Sequence, residues 1–127
     1  SIAAALDAEA RAQGRTAIGL LEVNLGGEAS KHGFDPAPLA SAAAPLATLR
    51  ALRIVGLMTI PPPGPTAEDS RVWFRRLREL RATLNARPEW GGRLSELSMG
   101  MSEDFEVAVE EGATYVRVGT SLFGARP

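Results

Sequence analysis

Two short runs in this chain combine residue types that can hold an anion: Leu97-Ser98-Met99-Gly100-Met101-Ser102 and, further on, Arg117-Val118-Gly119-Thr120-Ser121-Leu122-Phe123-Gly124. Each is an apolar segment that breaks off in Gly with Ser or Thr. Hydroxyls and bare backbone N–H groups can converge there on an oxygen, and a missing Cβ lets the main chain approach it. Two such ends on successive strands point to a phosphate site. In the first run Gly100 allows the close approach, while Ser98 and Ser102 add hydroxyls. Ser102 also reads as a helix N-cap and Gly100 as a turn. In that case Glu103 and Asp104 complement the helix dipole and would repel a phosphate unless they point away. In the second run Arg117 is in phase with Tyr115 and Gly119, so the side chains at 115 and 117 face one side while Val116 and Val118 face the other. A guanidinium facing inward near a strand end requires an anion or an acceptor. Either a ligand or an ion pair with Glu22 or Glu96 would serve, and the ligand is the favoured reading.

Other residues carry less. Lys31 is the only lysine and so the only side chain able to form a Schiff base, but it sits in a polar, glycine-containing loop beside His32 and reads as solvated. His32 is the only histidine and there is no cysteine, which excludes a thiolate nucleophile and a His or Cys metal cluster. Arg71, Arg75, Arg76, Arg78 and Arg81 decorate one helical segment. With Glu68 and Glu79 among them and no aromatic stacking ladder, they read as a solvated outer face rather than a grip on nucleic acid. Met58, Met99 and Met101 read as packing residues.

The elements that must position these residues follow two periods. Ile2, Leu6 and Ala10 recur every fourth residue up to Gly14, an amphipathic helix with a glycine stop. Segments 17–24, 53–60, 94–99 and 114–119 read as strands, the first two almost wholly apolar, as for a parallel sheet buried on both faces. Between them, Asp35-Pro36 opens a helix that Pro45 should kink or split. Thr66 with Asp69 forms a capping box ahead of a helix bearing Trp73, Leu77, Leu80 and Leu84 on one face, and Ser102 opens a short helix stopped by Gly112. Strands alternating with helices make right-handed parallel units, hence a doubly wound sheet or a (β/α)₈ barrel. No G-x-G-x-x-G run follows a strand, and Asn24, Thr59, Ser98 and Arg117 to Thr120 all fall at the strands' C-terminal ends, which favours the barrel. A whole barrel needs roughly 250 residues and eight strands. Four strands here lead to the expectation of an α/β chain forming the C-terminal half of such a barrel over residues 1–127.

Composition bounds the rest. The 127 residues are 45% hydrophobic and 23% charged, an ordinary globular balance. With 14 basic against 15 acidic side chains there is no overall positive field for a nucleic acid or an anionic membrane. The absence of cysteine, of a basic-then-apolar leader and of an apolar run near the roughly 20 residues that span a bilayer leads to the expectation of a cytoplasmic protein.

The string from Leu97 to Arg126 resembles the C-terminal signature of the pyridoxal 5′-phosphate homeostasis proteins, relatives of the alanine racemase N-terminal barrel. L-E-V-N at 21–24, G-E-A-S-K-H-G-F at 27–34 and G-L-M-T-I at 56–60 resemble that family's middle strands. The motifs are long, in order and span essentially the whole chain. The resemblance implies a single-domain (β/α)₈ barrel that binds pyridoxal 5′-phosphate (PLP) without established catalysis and acts in vitamin B6 supply. By position, Ser98, Gly119 and Thr120 would hold the phosphate and Arg117 would approach the pyridine nitrogen. An arginine there disfavours ring protonation and weakens the electron sink that carbanion chemistry requires. The family's cofactor lysine belongs to a first half not present in this sequence, and Lys31 matches a different position. The missing half, or self-association, is expected to cover the open barrel, and PLP-dependent apo-enzymes are candidate recipients of the cofactor. A racemase-like PLP enzyme is the alternative; it would need a second acid/base, for which no Tyr or Cys is evidently placed. A sugar-phosphate barrel is disfavoured, because no carboxylate or histidine pair stands at the strand ends.

Overall fold

A computed structural model describes residues 1–27 and 32–119. Its elements are α1 (Ile2–Ala12), β1 (Ala17–Glu22), α2 (Leu39–Ala43), a 3₁₀ turn at Ala44–Thr48, β2 (Leu52–Met58), a second 3₁₀ turn at Ala67–Ser70, α3 (Arg71–Asn85), β3 (Glu96–Met101), α4 (Phe105–Glu110) and β4 (Tyr115–Arg117). The strands form one parallel sheet in the order β1-β2-β3-β4. The α/β alternation read from the sequence is therefore present, with a helical segment in every crossover. Strand limits move by at most two residues: β1 ends at Glu22 and β3 begins at Glu96 rather than Leu94. Pro45 does split its helix, giving α2 and then the 3₁₀ turn. Thr66 and Asp69 form the capping box, although it opens a 3₁₀ turn leading into α3.

One face of the sheet is covered and the other is open. Leu21 and Val23, Leu52, Ile54 and Leu57, and Leu97 and Met99 are buried in a core shared with Phe74, Leu77 and Leu84 of α3, Leu39 of α2 and Ala108 of α4. The strands sustain this alternation by two irregularities. Gly19 pairs with Ile54 but Leu20 pairs with Gly56, so Val55 is extra, and the phase of β2 resets so that Leu57 as well as Ile54 turns to the helices. A Cβ on Gly56 would stand 2.0 Å from the Glu96 carbonyl oxygen, so only glycine permits β3 to come that close. Likewise Ser98 pairs with Tyr115 and Met101 with Arg117, three steps against two, with Gly100 at φ +102° taking up the difference.

Three sequence expectations are corrected. The apolar stripe of α1 is not buried: Ile2 and Leu6 are exposed, and the helix is tied down by Asp7, whose carboxylate accepts from the N–H groups of Ala51 (2.7 Å) and Leu52 (3.0 Å) and pairs with Arg11. The arginines of α3 are not merely solvated. Arg71, Arg75 and Arg78 surround the buried Glu111 carboxylate at 2.8, 3.3 and 3.1 Å and lock the C-terminal end of α4 to α3. Phe74, absent from the predicted apolar face, is fully buried on that helix, because packing against both β2 and β3 needs a wider stripe than one residue per turn. No helix among the described residues is long and apolar enough to cross a membrane.

Candidate functional site

The open face carries the polar residues. Alternation and register place Glu22, Met58, Ser98 and Tyr115 side by side across all four strands, with Arg117 one step closer to the C-terminal ends than Tyr115. Val116, pointing the other way, packs on the core. Ser98 is buried on this face.

Arg117 is half-buried and does not run out into solvent. Its Nη2 reaches past β3 to donate to the carbonyl oxygen of Thr59, just beyond β2, at 3.4 Å. Its Nε is buried without a partner. Of the two bland roles open to it in the sequence, an ion pair with Glu22 or with Glu96, neither forms; Glu96 instead accepts from Ser95 Oγ at 2.6 Å. A planar cation with one long bond and one orphaned donor is an incomplete arrangement, and an acceptor supplied by a ligand would complete it.

Thr59 was legible only as a polar strand end. In the structure it is fully buried and meets every other strand: its Oγ1 donates to Val23 O after β1 (2.8 Å), its N–H donates to Ser98 O in β3 (3.1 Å), and its carbonyl receives Arg117 of β4.

Not all expected groups gather. The turn after β3 does not offer a free set of N–H donors, because Asp104 Oδ1 accepts the N–H of Met101 at 2.8 Å. Its Oδ2 accepts from Ser70 Oγ at 2.7 Å. Asp104, not Ser102, stands at the N-cap of α4, and it makes no side-chain bond to the helix itself. A cleft of about 580 Å³ opens beside this turn, against the Pro61–Pro65 loop, with Thr59, Gly100 and Asp104 among its walls. Neither Ser98 nor Arg117 lines it, and its charged groups are acidic, so it is no anion pocket. Gly119, following β4, is exposed, and a Cβ placed on it would meet nothing within 4 Å. Thr120 and Lys31 lie outside the described residues. Among the described residues no group of His, Cys, Asp and Glu could hold a metal ion. One residue escaped the sequence reading as a possible second acid/base: Tyr115, 55% exposed and level with Ser98 on the open face. The in-phase spacing of 115 and 117 was the available signal.

A parallel sheet with polar side chains gathered at one end of its uncovered face is the arrangement of a cofactor-binding α/β domain, and the alanine racemase N-terminal domain model matches residues 1–127. The chain belongs to that family. Over 107 residues it is 52% identical to the pyridoxal phosphate homeostasis protein of Aquifex aeolicus, covering 84% of this chain and 46% of that protein. The protein of the same name from Pseudomonas aeruginosa is 49% identical over 106 residues, 84% of this chain and 44% of the relative. Among solved structures, PipY of Synechococcus elongatus with PLP bound superposes with a TM-score of 0.82 at 43% identity, covering 94% of this chain and 54% of PipY. The chain thus spans about half the length of the relatives it matches.

Proposed function

We propose that this chain is one half of a PLP-binding (β/α)₈ barrel that serves as a cytoplasmic carrier in vitamin B6 homeostasis, and that it supplies the phosphate and pyridine-nitrogen contacts. The observation that carries this reading is the incomplete coordination of Arg117. A half-buried guanidinium with an orphaned Nε on the open face, one step from the buried Ser98, suits a ligand with a ring nitrogen at one end and an anion at the other. That PipY was solved with PLP, and that the curated relatives are named for PLP homeostasis, supports the choice of ligand.

In this reading Ser98, Gly119 and Thr120 hold the phosphate. Gly119 is suited to it, since the space beside its backbone is open. Arg117 donates toward the ring nitrogen and, being a permanent cation, disfavours a proton there. When bound, PLP supplies an aldehyde and an electron sink; the unprotonated ring makes that sink weak, which suits transport better than turnover. The proposed carrier passes PLP to apo-enzymes. The first half of the barrel, or a second copy, covers the open face.

Equilibrium dialysis of the chain against PLP tests the reading. Saturable binding is expected, with pyridoxal, which lacks the phosphate, bound less well. Arg117→Ala should weaken PLP by about tenfold or more, the effect of losing a hydrogen bond to a charged group. Equal affinity for PLP and pyridoxal, or unchanged binding by both Arg117→Ala and Ser98→Ala, would overturn it. Tyr115 favours the racemase-like alternative, since a phenol does stand on this face. Exchange of an amino acid's α-proton with solvent deuterium that is abolished in Tyr115→Phe would establish that alternative instead.

A further inference from the structure

We propose that Thr59 is the positioning residue of this site: it sets where the Arg117 guanidinium lies and ties that position to the end of the Ser98 strand. The inference rests on the reading of Arg117 as a ligand contact but can be tested without a ligand.

Arg117 is borne on β4, a strand of three residues at the sheet edge, and its long side chain has many rotamers. Among the described residues, what holds it across the face is a single acceptor, the Thr59 carbonyl, and a main-chain carbonyl just beyond the end of a strand is itself free to tilt. Thr59 removes that freedom. Its hydroxyl is bonded to Val23 O at 2.8 Å and its N–H to Ser98 O at 3.1 Å, so the residue that carries the carbonyl is held from both neighbouring strands at once. The residue is fully buried, so no water competes for either bond. Valine would fill the same space with no donor and would leave the Val23 carbonyl without that bond; serine would keep the donor and lose only a methyl group. Among the described residues Thr59 thus bonds to groups from each of the other three strands or the residue just beyond one.

The experiment compares Thr59→Val, Thr59→Ser and wild type by ¹⁵N spectroscopy of arginine Nε–H groups, with Arg117→Lys identifying the Arg117 resonance. In the wild type that buried Nε–H should exchange slowly with solvent. Thr59→Ser should keep the resonance in place. Thr59→Val should move it to the position of exposed arginines and speed its exchange by at least about tenfold, while the Nε–H of Arg71, which is bonded to Glu68, stays put as a control for the fold. PLP affinity should fall by about tenfold in Thr59→Val and little in Thr59→Ser. An unmoved Arg117 signal in Thr59→Val overturns the proposal. So does a signal lost in Thr59→Ser, which keeps the test decisive if the valine variant does not fold. A shift in the Arg117 signal without any PLP binding by the wild type would uphold the positioning role and defeat only the ligand reading.

Discussion

Arg117 shows how one side chain can be informative through what it fails to bond. Its Nε is buried without a partner, and among the described residues the group has one acceptor, at 3.4 Å. Glu22 lies three strands away on β1 and Glu96 five residues up β3 from Met101, the register partner of Arg117, so neither carboxylate is placed to pair with it, whereas Arg71 pairs with Glu68, Glu110 and Glu111. Gly119 offers the cleanest test at this scale. Because no atom of the described residues lies within 4 Å of where its Cβ would go, Gly119→Ala should leave the thermal midpoint within about 1–2 °C of wild type, as a surface change does. A methyl group between backbone and phosphate should nevertheless weaken PLP binding by about tenfold or more. Dialysis and a melting curve on the same sample check both halves; unchanged PLP affinity would remove Gly119 from the site.

Among the elements, α3 and α4 are joined less by apolar contact than by the carboxylate of Glu111. Hydrogen bonds from Arg71 and then Arg75, reinforced by the charge of Arg78, hold that carboxyl below the ordinary glutamate value of 4.5. A group whose pKa is depressed by folding stabilises the native state above its unfolded pKa, and that contribution is lost as the pH falls through the folded value. Thermal stability should therefore be level near neutrality and decline below about pH 4.5, and Glu111→Gln should flatten part of that decline. At neutral pH the same variant should melt roughly 5 °C lower, the size of a lost charged hydrogen bond in a chain of this length. Melting curves from pH 7 to pH 3 measure both effects, and an acid limb identical in the variant would show that Glu111 is not the group responsible. Asp7 acts in the same sense at the start of β2, its carboxyl held low first by the Ala51 N–H and then by that of Leu52.

For the molecule as a whole, the uncovered face of the sheet and the outer surface of α1 leave Ile2, Leu6, Ile18 and Tyr115 in solvent, and both β1 and β4 are edges. Apolar surface beside unpaired strand edges favours association. The chain alone should elute from a sizing column above its 13.4 kDa, and Ile18→Glu, on the β1 edge, should shift it toward monomer. A monomer at all concentrations would count against a proposed partner half or second copy.

Much of this was legible in the one-dimensional pattern. Alternation of two periods announced the parallel α/β sheet, Pro45 the divided helix and Thr66 with Asp69 the capping box, because each depends on residues no more than a turn or two apart. The long motif ending at Arg126 identified the family for the same reason: it is a contiguous string. Pairing between distant segments was not legible. Asp7 meets residues 44 and 45 positions away, and Arg117 meets a carbonyl 58 positions away. The extra residue at Val55 exists only as a mismatch between two strands, and the clamp on Glu111 only because two helices lie on the same face. A sequence states which groups are available and how each segment curls, since those are properties of near neighbours. Which donor finds which acceptor is settled when the strands align, since only then does burial make an unpaired polar group costly enough to select one partner over another.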